Sequence, residues 1–190
     1  MANQLITFIK LFRHIPAEDE ALIAAATEQR FYKENDYLFT GGKICREIFF
    51  VCNGVLRTMA LNENGKEVTH YFIPENRFCS ILHSFTNQVP TDENIIAACD
   101  AGVLAIKYTD LRRLYTQVPY LEPLIMRIIQ QALLDKIAVK NSCLGRDSSS
   151  QYEKFITEQP DIAFRVSLTD VASYLGITLQ SLSRIRKNKR

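Results

Sequence analysis

Histidine is scarce in this 190-residue chain: there are three, His14, His70 and His83. None stands in an H-x-H pair. A barrel enzyme that works through a metal needs about three His or Glu ligands brought together, so that chemistry is set aside. No metal site, no cofactor and no enzymatic activity are expected. Cysteine is thinly scattered. Cys45, Cys52, Cys79, Cys99 and Cys143 include no C-x-x-C pair, which argues against a zinc site or an iron–sulfur cluster. Reduced thiols in a cytoplasm are the economical reading, most of them acting as small buried hydrophobes. No apolar run approaches the ~20 residues of a membrane-spanning helix. The opening stretch, MANQLITFIKLFRHIP, has no basic leader before an apolar core and no small-residue cleavage site, so no secretion signal is read there.

What is present is ordinary in bulk and uneven in distribution. Apolar residues make up 47 % and charged residues 23 %, as in a typical globular protein. The length holds one large domain, or one domain plus a small module. The net charge of +2 hides an asymmetry: residues 1–145 carry 15 Lys/Arg against 16 Asp/Glu, whereas residues 146–190 carry 8 against 5. Positive charge is therefore concentrated toward the C-terminal end.

That end reads VSLTDVASYLGITLQSLSRIRKNKR from Val166 to Arg190. Ser167 or Thr169 can cap a helix, and Asp170 falls in its first turn, where the helix dipole favours a carboxylate. Val171, Ala172 and Leu175 recur at helical spacing. Gly176 tolerates the left-handed backbone that ends helices. Thr178 can cap a second helix, with Leu179, Leu182 and Ile185 as its apolar stripe. Two short helices joined by a tight Gly-containing turn make a helix-turn-helix. On the second helix Gln180, Ser181, Arg184 and Lys187 share a side. Gln and Arg are shaped for bidentate contacts to base edges in the major groove. Five basic residues and no acidic one lie between Arg184 and Arg190, which suits phosphates. A packing hairpin with a solvated end would explain the apolar stripes but not this concentration of charge. Double-stranded DNA is therefore the expected partner, with Leu179, Gln180 and Arg184 reading bases and Thr178, Ser181, Ser183, Arg186 and Lys187 holding phosphates.

Upstream, residues 4–14 and 18–30 read as helices separated by Pro16. From Phe31 to about Lys107 short β-rich runs alternate with turns. Glu47–Val51 and Val55–Leu61 flank Asn53–Gly54, a two-residue hairpin signal. A longer turn at residues 62–65 precedes Val68–Ile73. Ile95–Cys99 and Val103–Tyr108 read as another pair. Strands so regularly spaced predict a sandwich or barrel. Tyr108–Tyr115 reads as a short helix capped by Thr109. Pro119 then opens a long helix to about Cys143. Its first apolar stripe runs through Leu121, Ile125, Ile128, Ala132 and Val139, its second through Leu124, Ile129, Leu133 and Ile137. A helix apolar on two sides needs two partners: one is the β-domain, the other the same helix of a second chain. A homodimer through residues 118–145 also suits a motif that usually reads two half-sites. Gly145–Ser150 reads as a hinge. Ser150 and Glu153 have capping-box spacing for a helix that Pro160 stops, with Tyr152, Phe155 and Ile156 packing under the motif. The expected domains are a β-rich sensor over 1–117, the long helix over 118–145 and the DNA-binding module over 146–190.

LTDVASYLGIT followed by LSRIRK resembles the helix-turn-helix of the cyclic-AMP receptor protein/fumarate-nitrate regulator (Crp/Fnr) family of bacterial transcription factors, and looks especially like the forms found in Bacteroidetes. The order of parts upstream matches too. The resemblance implies an α+β chain: short helices leading into the double-stranded β-roll (a jelly roll) of cyclic-nucleotide-binding domains, with FFVCNGVLR in the place of the family's hydrophobic-x-x-G-x-hydrophobic hairpin. It implies a transcriptional regulator whose effector, bound in the roll, biases the orientation of two DNA-binding modules, with RNA polymerase a further candidate partner. The N-terminal cysteine set of the family's iron–sulfur members is missing. Many relatives continue into a β-hairpin wing, so a motif lacking a full wing is expected here. The family's ligand cassette has the form G-E-[LIV], then R-[ST] about ten residues later, the glutamate on the ribose and the arginine on the phosphate. The matching stretches are Asn76–Arg77–Phe78–Cys79–Ser80 and Val89–Pro90–Thr91–Asp92–Glu93–Asn94. Neither half fits, and the Glu93 carboxylate would repel a phosphate. An effector other than cyclic AMP is expected, with Arg77, Phe78, Cys79, Ser80, Glu93 and Asn94 as candidate contacts. A vestigial pocket, a response through Cys79 activated by a nearby imidazolium, and an output through protein–protein contact stay open.

Overall fold

Helices open the chain and close it around a block of strands. The computed structural model describes residues 1–143 and 145–188; Lys189 and Arg190 of the basic tail, and Leu144 beside the expected hinge, lie outside the described residues. Helix α1 (Ala2–Lys10) buries Leu5, Ile6, Phe8 and Ile9 on one face. Helix α2 (Ala17–Ala25) starts after Pro16 with Glu18, Asp19 and Glu20 in its first turn, where the dipole favours them. Both are shorter than the predicted 4–14 and 18–30. Residues Glu28–Tyr32 form strand β1 instead and pair with residues 101–105. A ladder to a distant strand overrides the weak local helix preference of this stretch.

The remaining strands are β2 (Tyr37–Phe39), β3 (Lys43–Ile44), β4 (Glu47–Asn53), β5 (Leu56–Leu61), β6 (Glu67–Ile73), β7 (Phe78–Cys79), β8 (Pro90–Thr91), β9 (Asn94–Ala97) and β10 (Ala101–Lys107). Every pairing is antiparallel. One sheet has the order β1-β10-β4-β7, the other β2-β9-β5-β6, and β3 with β8 forms a small third. The two large sheets face each other across a core that includes Phe49, Val51 and Val103 from one and Leu56, Ile73 and Ile95 from the other. This is the expected β-roll, and the chain is α+β.

Two expected hairpins are not hairpins. β4 and β5 flank Asn53–Gly54 but lie in different sheets, as do β9 and β10 on either side of residues 98–100. A tight turn reverses the chain; it does not decide whether the next strand pairs in the same sheet or crosses to the facing one. Gly54 makes its crossing at φ +85°, and a Cβ there would overlap the Asp100 carbonyl and the Ala101 Cα, so only glycine fits. The true hairpin is β5–β6, from Leu56 opposite Ile73 to Leu61 opposite Glu67. Asn62 Oδ1 closes it by accepting from the backbone N–H of Asn64 and of Lys66, both at 3.0 Å.

Beyond the strands, α3 spans Leu82–Asn87 and α4 spans Tyr108–Gln117. The N-cap of α4 is Lys107, without a side-chain cap bond; Thr109 lies inside the helix rather than capping it. Helix α5 (Leu121–Ser142) has 22 residues, about 33 Å, and starts two residues after Pro119. Leu121, Ile125 and Ile128 bury their side chains with Leu111, Leu114 and the N-terminal helices. Met126, Leu133, Leu134 and Ile137 stay exposed. Helix α6 (Ser148–Glu158) is capped by Asp147, which accepts from Ser149 N and Ser150 N. The expected capping box at Ser150 is thus displaced, because the stronger acceptor three residues earlier takes the free amides. Pro160 ends α6 and opens α7 (Pro160–Ala163). Helices α8 (Leu168–Tyr174) and α9 (Leu179–Lys187) follow. Phe155, Ile162, Val166, Val171, Ala172 and Leu182 form a third core, with Tyr152 and Ile156 against it, and this core includes Val55, Phe72 and Ala98 of the roll. Among the described residues no helix is long and apolar enough to cross a membrane.

Candidate nucleic-acid interface

Helices α8 and α9 are set by three local devices. Ser167, not Thr169, caps α8 by accepting from Asp170 N at 3.1 Å. At the other end Ile177 N donates to Ala172 O and Gly176 N to Ser173 O, with Gly176 at φ +67°; this is a Schellman turn. Thr178 Oγ1 caps α9 by accepting from Ser181 N at 3.1 Å, and the two side-chain hydroxyls are 2.9 Å apart. Leu182 is fully buried and anchors α9 on α8.

Opposite Leu182, the side chains of Gln180, Ser183, Arg184 and Lys187 are exposed, with Arg186 beside them. Leu179, expected in the apolar stripe and also at the bases, is exposed. Arg184, Arg186 and Lys187 stand in the last turn of α9, at the negative end of its dipole. Among the described residues none of the three has a carboxylate within ion-pair distance. The Thr178 and Ser181 hydroxyls are committed to the cap, whereas Ser183, Arg186 and Lys187 are open. The exposed face of α9 thus carries Gln180 and Arg184 without counter-charge.

The module rests on the roll through polar contacts that no local pattern announces. Arg57 of β5 is buried. It pairs with Asp170 of α8 at 3.3 Å and with Glu67 at 3.0 Å, and it donates to Thr69 Oγ1 at 3.2 Å. Its Nε is buried without a partner. Ser173 Oγ accepts from Thr69 N at 2.9 Å and donates to Glu67 O at 3.0 Å. Arg165 grips Glu75 with both guanidinium ends, at 2.5 and 2.8 Å, and Glu75 also accepts from Gly54 N at 2.8 Å. The bond from Arg165 holds the Glu75 carboxyl below its ordinary pKa. Asp170, read from sequence as a helix-dipole residue, thus has a second and more specific partner. The available signal was Arg57 itself, an arginine inside the apolar strand LRTMAL.

The six candidate effector contacts do not converge. Arg77, Phe78, Cys79 and Ser80 line a recess of about 40 Å³ under α5, together with Thr58 and Lys136. Glu93 lies elsewhere, facing His70 at 3.3 Å. Asn94 accepts from Gly41 N at 3.0 Å and donates to Met59 Sδ at 3.2 Å. Burial pushes the Cys79 thiol up to about 12. The His83 ring is exposed and bonded to Asn87 at 3.1 Å, so it does not activate Cys79. Among the described residues no group of three His, Cys, Asp or Glu is arranged to hold a metal ion.

Residues 29–118 match the family described as cyclic nucleotide-binding domain. Among solved structures, the chain is similar to the c-di-GMP-responsive global regulator CLP of Xanthomonas campestris: 15 % identity, TM-score 0.70, covering 91 % of either chain. It is similar to FixK2 from Bradyrhizobium japonicum at 18 % identity and TM-score 0.68, covering 85 % of this chain and 83 % of that one. A protein from Eubacterium rectale assigned to the crp/fnr family of transcriptional regulators gives 16 % identity and TM-score 0.69, over 96 % of this chain and 87 % of its own. Among curated proteins no sequence matches.

Proposed function

Because residues 29–118 form a cyclic nucleotide-binding domain on the fold of Crp/Fnr transcriptional regulators, we propose that this chain is a cytoplasmic, homodimeric, sequence-specific DNA-binding regulator of that type. The observation that carries the reading is the outer face of α9, where Gln180, Arg184, Arg186 and Lys187 are exposed and the cations are unneutralised. Leu179, Gln180 and Arg184 read base edges; Ser183, Arg186 and Lys187 hold phosphates, with Thr178 and Ser181 at the helix start. Residues 1–117 act as the sensor, 118–145 as the dimer helix and 146–190 as the reading module.

The exposed stripe Met126–Leu133–Ile137 on α5 supports the dimer. These positions recur at seven- and four-residue steps, the spacing of a coiled-coil seam. The effector is not cyclic AMP. The recess at the cassette holds about 40 Å³, against the roughly 300–1,000 Å³ of a pocket for a drug-sized ligand.

The test is selection of random duplex DNA by the purified chain, followed by affinity measurements at several salt concentrations. A two-fold-related pair of half-sites is the expected outcome. Two phosphate-binding cations per protomer, at ~0.9 each, give a log–log salt slope of about −3 to −4 for the dimer. No enriched sequence, even with cell extract added to supply an effector, would overturn the reading in favour of a protein-directed output.

A further inference from the structure

A cleft of about 240 Å³ opens where three parts of the chain meet. Tyr71 and Arg77 come from β6 and the turn after it, Lys136 from α5, and Gln159 and Tyr174 from the C-terminal module. The cleft runs beside β6, an edge strand of its sheet, outside the packed interior of the roll.

Its chemistry centres on Lys136. The ammonium lies 4.8 Å from the centre of the Tyr71 ring. Among the described residues it has no carboxylate within ion-pair distance; the titratable groups that act on it are the buried Cys79 thiol and the like-charged Arg77. Burial holds its pKa below the ordinary lysine value; Cys79 opposes that shift and Arg77 adds to it. Asp135 also lines the cleft, but it is exposed and takes a bond from Gln131 at 2.9 Å. On the other side of Lys136 lies the 40 Å³ recess, which shares Arg77 with the cleft. There Thr58 Oγ1 is buried without a hydrogen-bond partner, on a residue only 6 % exposed. A half-buried ammonium beside a second, exposed cation and near an unsatisfied hydroxyl is unfavourable. An anion between the cations reverses the sign of both charge effects.

We infer that this cleft binds a small organic anion, its acid group between Lys136 and Arg77 and its apolar body against Tyr71 and Tyr174. The inference rests on the regulator reading and names the effector class and its place. Because the walls belong to the roll, to α5 and to the reading module, the occupant ties the module to the dimer helix. It shifts DNA affinity by its preference for that arrangement.

Calorimetric titration of the full chain tests this, with phenyl phosphate and benzoate as anionic probes and phenol as the neutral control. Saturable binding of either anion but not of phenol is expected, and whichever binds tighter identifies the acid group as phosphate or carboxylate. Lys136→Met should weaken binding about tenfold or more, as expected when one charge-assisted hydrogen bond is removed. Arg77→Gln, at the exposed mouth and safe for folding, should weaken it several-fold. Saturating probe should change duplex affinity in the wild-type chain and not in Lys136→Met. Absence of saturable binding by either anion, or equal binding by both variants and the wild type, would overturn the inference. Duplex binding on the same samples separates the two readings: intact DNA binding without anion binding sinks this inference alone, whereas anion binding without DNA binding sinks the regulator reading and the effector role with it.

Discussion

Replacing Asp170 by asparagine removes one of the two carboxylates that neutralise Arg57 beneath the C-terminal helical module. The Arg57 and Asp170 side chains are 5 % and 8 % exposed and 3.3 Å apart, so water screens the pair little. Removing one partner of a buried pair generally destabilises by ~3–5 kcal/mol, because the survivor keeps its desolvation penalty. In Asp170→Asn the survivor is not bare. Glu67 stays at 3.0 Å and Thr69 Oγ1 at 3.2 Å, so the loss should be nearer ~2 kcal/mol. In Arg57→Met the buried Asp170 carboxylate loses its cation outright, and the loss should reach the full ~3–5 kcal/mol. The double variant Arg57→Met/Asp170→Val replaces charge by apolar volume and should recover at least ~1.5 kcal/mol over the sum of the singles. Urea unfolding with amide exchange on α8 measures both size and place: the loss should be seen first as early opening of α8 from β6. Singles within ~0.5 kcal/mol of wild type, as for an ordinary surface change, or Asp170→Asn costing more than Arg57→Met, would refute the reasoning.

Arg184→Ala should weaken specific DNA binding by ~1–3 kcal/mol and relax preference at one base position, whereas Lys187→Ala should weaken all duplexes alike and flatten the salt slope by about 1 for each phosphate left without its cation; binding to selected and scrambled duplexes distinguishes the two. Leu133→Asp with Ile137→Asp places charge on the exposed stripe of α5 and should convert a dimer to monomers in sedimentation while leaving the thermal midpoint of the roll unchanged. Cyclic AMP should give no saturable heat of binding, since the recess at the cassette holds only about 40 Å³. The Glu75–Arg165 contact should be acid-sensitive. Its carboxyl is held below the ordinary value by Arg165, so its stabilising effect is present above the usual carboxylate range and is lost as pH falls through the depressed value. Amide exchange of the module should therefore quicken below that range in the wild type, and Glu75→Gln should remove that dependence.

What could be read from the sequence follows from how far apart the cooperating residues stand. The helix-turn-helix of α8 and α9 was legible because all its signals are local. Thr178 caps, Gly176 turns, and Leu182 opposes Gln180, Arg184 and Lys187 within one helical repeat. The strand runs at 47–51, 55–61, 68–73, 95–99 and 103–108 were legible for the same reason, since each carries its own β-rich run and turn residues. Their partners were not. Asn53–Gly54 reads as a hairpin because a reversal looks alike in sequence whether the chain returns in its own sheet or crosses to the facing one. What distinguishes them is the close approach of Gly54 to Asp100 and Ala101, a contact of folded topology. The over-long helix at 18–30 failed in the same way, since Glu28–Tyr32 has a strand partner at 101–105 that no local window includes. The docking of the module is the extreme case. Asp170 shows an N-terminal-turn carboxylate, which is true, and conceals that the same carboxylate meets Arg57. Lys136 likewise carries no local signal and becomes chemically notable only once Arg77 and Tyr174 are brought around it. A buried arginine in the apolar strand LRTMAL was the exception that local reading could have used. Such a side chain has to find a carboxylate, and when its own sheet supplies only one that is half exposed, Glu67, the second must come from another part of the fold. Asp170 lies on the module that carries α9, so the electrostatic need of one strand fixes where the exposed basic face of α9 is held.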